Sequence, residues 1–274
     1  MNQTAIGLVD SHSAANRSVN QAAVERIPAG LQWSALSERG IRAALREGDV
    51  MLALAAPIAI YICFYIPLRK SMSATGIDFA QYLLPLVAVY AMFFTAMFAA
   101  DRAGREVAGG MATRLRSLPV RPWVPVAARM SANLLRGCAA LTSALLVGTA
   151  FGFRFNDPAT ALVFVLEALA FGAAVVVAAD ALGTVTRNPE LGGTVLFVPQ
   201  LLLIMTSTGF VPAEGFPGWI QGWARNQPVS QVTSALRGLA DGRYPSELGV
   251  AALWIVGLLI VGMVLATRAE GRRA

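Results

Sequence analysis

Long apolar runs alternate with short polar breaks over most of the chain. Runs close to 20 residues recur at about 50–68, 79–100, 130–151, 159–183, 191–211 and 248–267. Each is long enough to cross a hydrocarbon core roughly 30 Å thick as a helix. The pattern predicts an all-α polytopic membrane protein with six transmembrane helices. Pro57 and Pro67 interrupt the first run, which spanning helices tolerate when neighbours re-satisfy the backbone. Ahead of it, residues 31–47 carry a helical period. Trp33, Leu36, Gly40, Ile41, Ala44 and Leu45 share one face; Glu38, Arg39, Arg42 and Arg46 share the other. A basic amphipathic helix with a Trp suits the membrane interface; a helix packed on the protein itself is the alternative.

Two connections between the runs are too long to be simple turns. Residues 101–129 form an arginine-dense loop whose part from Arg105 to Leu118, closed by Pro119, reads as a short lateral helix. Residues 212–247 alternate helix breakers, Pro212, Pro217 and Pro228, with amphipathic stretches. Trp219 and Trp223 are spaced for one face of a short helix and suit the interface. Val229–Leu239 predicts a second short helix, so this segment reads as a re-entrant pair before the last span. The domain organisation is then a disordered cytoplasmic tail over 1–30, rich in Ser, Asn, Ala and Gln and lacking a signal-peptide core, and one transmembrane domain over 31–274.

Composition agrees with the pattern. The chain of 274 residues is 56% hydrophobic and 14% charged, with mean hydropathy +0.58; a soluble domain carries about 25% charged residues. The net charge of +6 comes almost wholly from arginine, Lys70 being the only lysine. The basic character follows the positive-inside rule better than it suggests nucleic acid as a partner. With the N-terminus in the cytoplasm, fifteen Lys and Arg fall in inner segments and six in outer ones, which places both termini on the cytoplasmic side of the plasma membrane. Cys63 and Cys138 lie within apolar runs and read as small buried hydrophobes. His12, the only histidine, lies in the polar tail, so no histidine-based metal or catalytic site is expected.

Catalytic motifs are missing. The sequence has no G-x-x-x-x-G-K-[ST] phosphate loop, no H-E-x-x-H and no G-x-S-x-G, so the chain is not expected to be an enzyme or to hydrolyse ATP itself. Ionisable residues inside spans mark partners or pathways, and three stand there: Arg136, Glu167 and Asp180. Counted from the span ends, Arg136 and Asp180 lie at similar depth, which predicts an ion pair between them, either a packing device or a substrate contact. Glu167 has no evident partner and is a candidate cavity residue. Gly148 and Gly152 give the one GxxxG spacing within a span.

Four stretches carry a resemblance to a known family: RLRSLPVRP at Arg114–Pro122, DALGTVTRNPE at Asp180–Glu190, STGFVPAEGFPGWI at Ser207–Ile220 and RNQPVSQVTSALRGLA at Arg225–Ala240. With six spans, an N-terminal amphipathic helix and a basic inner loop, the chain resembles the ABC-2 type transport permease. Within it, the chain is similar to the daunorubicin-resistance-type permease of actinobacteria, including the mycobacterial branch implicated in exporting phthiocerol dimycocerosate lipids. The resemblance implies a type V exporter-like fold and a half-exporter moving a hydrophobic or amphipathic substrate, a complex lipid or an anthracycline-like drug. It implies a separate P-loop ATPase, which would hold the ATP and Mg, and a second permease subunit, identical or homologous, in a lipid membrane. It maps coupling to the ATPase onto Arg105, Glu106, Arg114, Arg116 and Pro119, while VAGGMAT after Glu106 lacks the second acidic residue often seen there. The re-entrant segment, with Pro217, Trp219, Asn226, Pro228 and Arg237, would cap the exit. An ATP-independent secondary transporter or channel is the alternative function; it would usually show inverted repeats, and the two halves of this chain show none that is clear.

Overall fold

The computed structural model describes residues 28–73, 76, 78–110, 121, 123–186, 189–209 and 212–271. These residues form nine α-helices and no strand. In chain order they are α1 (Ala29–Arg46), α2 (Asp49–Ser73), α3 (Phe79–Ala108), α4 (Trp123–Ala150), α5 (Pro158–Thr186), α6 (Pro189–Met205), α7 (Gly218–Asn226), α8 (Pro228–Ala240) and α9 (Glu247–Gly271). The polar tail expected over 1–30 lies almost wholly outside the described residues.

Five helices, α2, α3, α4, α5 and α9, are long and apolar enough to cross a membrane. The fifth of the six expected spans is α6, and it is shorter. Its 17 residues extend about 26 Å at 1.5 Å per residue, and the chain leaves the helix at Met205 rather than near Val211.

Helix α3 is the centre. It is apolar on all sides, the pattern of a helix with no solvent face, and Leu84, Val87, Ala88, Met92 and Ala100 are fully buried on it. The Asp78 carboxylate caps its start, accepting from the backbone N–H groups of Ala80 and Gln81 at 3.1 and 3.4 Å. Helices α2, α4, α5, α6 and α8 pack around α3, and α9 packs outside against α5 and α8.

Small residues set the closest crossings, as is usual where lipid removes the hydrophobic drive between helices. A methyl group at Gly183 of α5 would run into the Ala100 carbonyl oxygen of α3, and one at Gly172 would strike Met92. Gly148 of α4 faces Leu84 of α3 in the same way. Gly152, the other half of the expected GxxxG, lies beyond the end of α4 at φ +110° and meets nothing within 4 Å, so the two glycines do not act as one packing motif.

The Pro57 break in α2 is supported from outside. Pro57 has no N–H to give the Ala53 carbonyl, and beside that site the Leu54 carbonyl accepts from Ser143 Oγ of α4 at 2.8 Å, which ties the break to a neighbouring helix. Cys63 is exposed, because α2 presents only a narrow face to the bundle, and Cys138 of α4 is half-buried; neither is the fully buried hydrophobe expected.

Candidate functional site

Polar side chains gather at the two ends of the bundle. At the end where α3 finishes and α4 begins, three helices bring charges together. The Arg129 guanidinium of α4 donates from Nε to Asp180 Oδ1 at 3.0 Å and from Nη2 to Asp180 Oδ2 at 2.9 Å, joining α4 to α5. Its Nη1 lies 3.5 Å from Glu106 Oε2 of α3. A second group sits beside this one. Arg136 is fully buried, with Nη2 3.2 Å from Asp49 Oδ2 at the start of α2 and Nη1 donating to Asn133 Oδ1. Arg102 of α3 lies 3.4 Å from Asp49 and 3.7 Å from Glu47. A buried arginine is tolerated because the Asp49 carboxylate and the Asn133 side-chain carbonyl offset its desolvation.

These contacts correct the expected Arg136–Asp180 pair. Each residue is paired, but Arg136 with Asp49 and Asp180 with Arg129. The cause is the helix start. Helix α4 begins at Trp123, seven residues before the apolar run does, so Arg129 is a helical residue at the depth of Asp180. Arg136 lies two turns deeper on the same helix. Asp49, which precedes an apolar run, is the first residue of α2 and points into the bundle.

Helix α3 likewise runs unbroken to Ala108, so Arg105 and Glu106 belong to the long central helix and not to a separate lateral one. Nothing between Ala100 and Ala108 breaks a helix; the stop comes at Gly109 and Gly110, the latter at φ +69°. Arg114, Arg116 and Pro119 lie outside the described residues.

A cavity of about 330 Å³ opens beside the charges. Helix α1 forms one wall, packing on α4 with Gly40 against Ala132 and Trp33 Nε1 donating to Ser131 Oγ at 3.2 Å. Trp33 is still 41% exposed, and Leu31 and Leu45 more so. The helix therefore rests on the protein through its small residues and leaves its large apolar side chains outside.

At the opposite end, Arg237 of α8 ties three segments together. Its guanidinium donates to the carbonyls of Tyr82, Thr208 and Gly209 at 3.2, 3.0 and 2.7 Å and lies 3.6 Å from the centre of the Tyr82 ring. Tyr82 Oη donates to the Thr208 carbonyl at 3.1 Å, and the Thr208 N–H donates to Ser230 Oγ at 3.0 Å. The exit of α6 is thereby fixed to α3 and α8. Burial lowers the Arg237 guanidinium from its ordinary range, with the Tyr82 phenol opposing that shift; the side chain stays charged.

The other predicted outer residues frame this junction. Pro217 and Pro228 stand at the starts of α7 and α8, and Asn226 ends α7. Trp219 is 84% exposed, whereas Trp223 Nε1 reaches Thr206 Oγ1 at 3.4 Å. Glu167 is half-buried on α5 and its Oε1 has no hydrogen-bond partner among the described residues; it lines neither the cavity described above nor a second one of about 280 Å³ between α3, α4 and α5. Sequence reasoning passed over Arg129, Asp49, Arg102 and Tyr82. For the first three the signal was available: ionisable residues within one or two turns of an apolar run continue its helix unless a breaker intervenes.

Comparison with known proteins agrees with this architecture. A family model described as ABC-2 family transporter protein matches residues 65–268. Over 243 residues the chain is 34% identical to the doxorubicin resistance ABC transporter permease protein DrrB of Mycobacterium tuberculosis, covering 85% of this chain and 84% of that one. It is 31% identical over 217 residues to the probable doxorubicin resistance ABC transporter permease protein DrrC of the same organism, covering 77% and 78%. It is 30% identical over 185 residues to the daunorubicin resistance ABC transporter permease protein DrrB1 of Streptomyces coeruleorubidus, covering 67% and 62%. A bundle of long apolar helices matched over most of its length by that family model is a membrane protein of the ABC-2 transporter family.

Proposed function

We propose that this chain is the permease subunit of an ATP-binding-cassette exporter in the plasma membrane, moving a hydrophobic or amphipathic drug outward with energy from a separate ATPase. The observation that carries the reading is the chain of contacts Glu106–Arg129–Asp180. Glu106 stands just before the 101–129 connection's central part and Arg129 at its end, and Arg129 joins Glu106 of α3 to Asp180 of α5. A force on this connection is therefore delivered to three helices at once. The sequence offers no phosphate loop, so the force would come from a P-loop ATPase docked there, with Arg114 and Arg116 on the docking face.

The relatives are named for doxorubicin and daunorubicin resistance, which favours an anthracycline-like cargo over a complex lipid. Similarity to both a DrrB and a DrrC of one organism favours a homologous second permease over an identical one, though either would complete a two-subunit pathway. In this reading the termini are cytoplasmic, α6 is the fifth of six spans, shortened because α7 and α8 close the outer end, and α1 lies along the inner membrane surface. Charge reversal tests the coupling assignment. Arg114→Glu with Arg116→Glu should abolish co-purification with the ATPase while the permease stays folded. Normal co-purification and transport by that variant would show that the ATPase docks elsewhere.

A further inference from the structure

The cavity beside α1 is unbalanced in charge. Its acids are Glu47, Glu106 and Asp180, and its arginines are Arg39, Arg102, Arg105 and Arg129. Arg102 and Arg129 take all three acids, at 3.7, 3.5 and 2.9 Å. Arg39 and Arg105 have no acid within ion-pair distance among the described residues, and both are exposed. Two guanidinium groups outside ion-pair distance of any acid, on a cavity with one positive charge in excess, suit an anionic group.

The second space, of about 280 Å³, begins one helical turn deeper. On α3 the lining passes from Ala99 in the cavity to Thr95 and Met92 in the groove; on α5 it passes from Asp180 to Val177 and Val176. Asn133 of α4 lines both. The groove walls are almost wholly apolar, and Leu134 and Ala173 at its mouth are exposed on helices that span the membrane. A charged pocket at the membrane surface thus continues into an apolar slot in the hydrocarbon.

We propose that the two spaces together hold one anionic phospholipid of the adjoining leaflet, its phosphate against Arg39 and Arg105 and one acyl chain in the groove past Asn133. The site lies between α1 and the α3–α4–α5 group and runs into the groove between those three helices, and it takes a resident lipid rather than cargo. An anionic headgroup is drawn to such arginines at the membrane surface, and the acyl chain would cover apolar side chains that line an open groove among the described residues.

Native mass spectrometry of the full chain, titrated with phosphatidylglycerol and with phosphatidylcholine, tests this. Phosphatidylglycerol should bind more tightly. Arg39→Gln and Arg105→Gln should each weaken it roughly fivefold and leave phosphatidylcholine binding unchanged, which also controls for folding. Ala173→Trp, filling the groove from an exposed position, should weaken both lipids. Arg46→Gln, on the same helix outside the cavity, should change neither. Equal binding of the two lipids would overturn the proposal, as would a loss with Arg46→Gln as large as with Arg39→Gln. Displacement of the lipid by glycerophosphoglycerol, the headgroup without chains, as readily as by phosphatidylglycerol would overturn it too.

Discussion

Arg129 grips Asp180 through two hydrogen bonds of 3.0 and 2.9 Å, while Arg136, two turns deeper on the same helix, is held by Asp49 instead. The α4–α5 crossing and the α2–α4 crossing therefore each have their own charge pair. Asp180→Asn and Arg129→Gln should each cost about 1.5–3 kcal/mol, the range for hydrogen bonds to charged groups. In a double-mutant cycle the two should be strongly non-additive. Arg136→Gln with Asp180→Asn should add within about 0.5 kcal/mol, as unpaired sites do. Thermal unfolding in detergent reads both; coupling between Arg136 and Asp180 equal to that between Arg129 and Asp180 would refute the pairing.

The closest helix crossing should be the least forgiving. Gly183→Ala places a methyl on the Ala100 carbonyl, a backbone atom that cannot rotate away, so it should cost at least about 1–3 kcal/mol, as overpacking does. Gly172→Ala should cost less, because Met92 is flexible and can give way. The same unfolding assay ranks the two variants, and the reverse order would mean that α3 and α5 do not cross at Gly183.

The arginine at the opposite end should not be replaceable by lysine. Arg237 reaches three carbonyls and the Tyr82 ring, and a lysine ammonium lacks the planar fork that permits this. Arg237→Lys should loosen residues 204–209, seen as amide exchange at least roughly tenfold faster there, since about 1.4 kcal/mol of lost opening energy is a factor of ten. Unchanged exchange in that segment would show that the exit of α6 is held by other contacts.

The long helices were legible because apolar length alone decides them. Their ends were not. At α4 the stretch Trp123–Arg129 reads as loop because it holds Pro125, yet it is helical: Pro125 falls in the first turn, where a missing N–H costs no intrahelical bond, and Arg129 finds Asp180. At α3 the same error hid that Arg105 and Glu106 ride on the central helix. Partners across helices follow from those ends, so the Arg136–Asp180 pairing failed with them even though both residues were identified as needing partners. Arg237 was visible as a residue of the outer segment, but its role depends on backbone carbonyls at Tyr82, Thr208 and Gly209, which carry no side-chain signature. The cavity under α1 was invisible for a similar reason: it is made by small residues, Gly40 and Ala132, meeting across two helices.

The central claim is that this permease works only with an ATPase it does not contain. Doxorubicin accumulation in inside-out proteoliposomes measures it most directly, with the chain reconstituted alone, with a homologous permease, and with the P-loop ATPase added. Accumulation is expected only when the ATPase and ATP are both present, and it should be lost on ATP depletion and with the Arg114→Glu, Arg116→Glu variant. Accumulation at the same rate without ATPase or ATP would contradict it and favour an ATP-independent transporter.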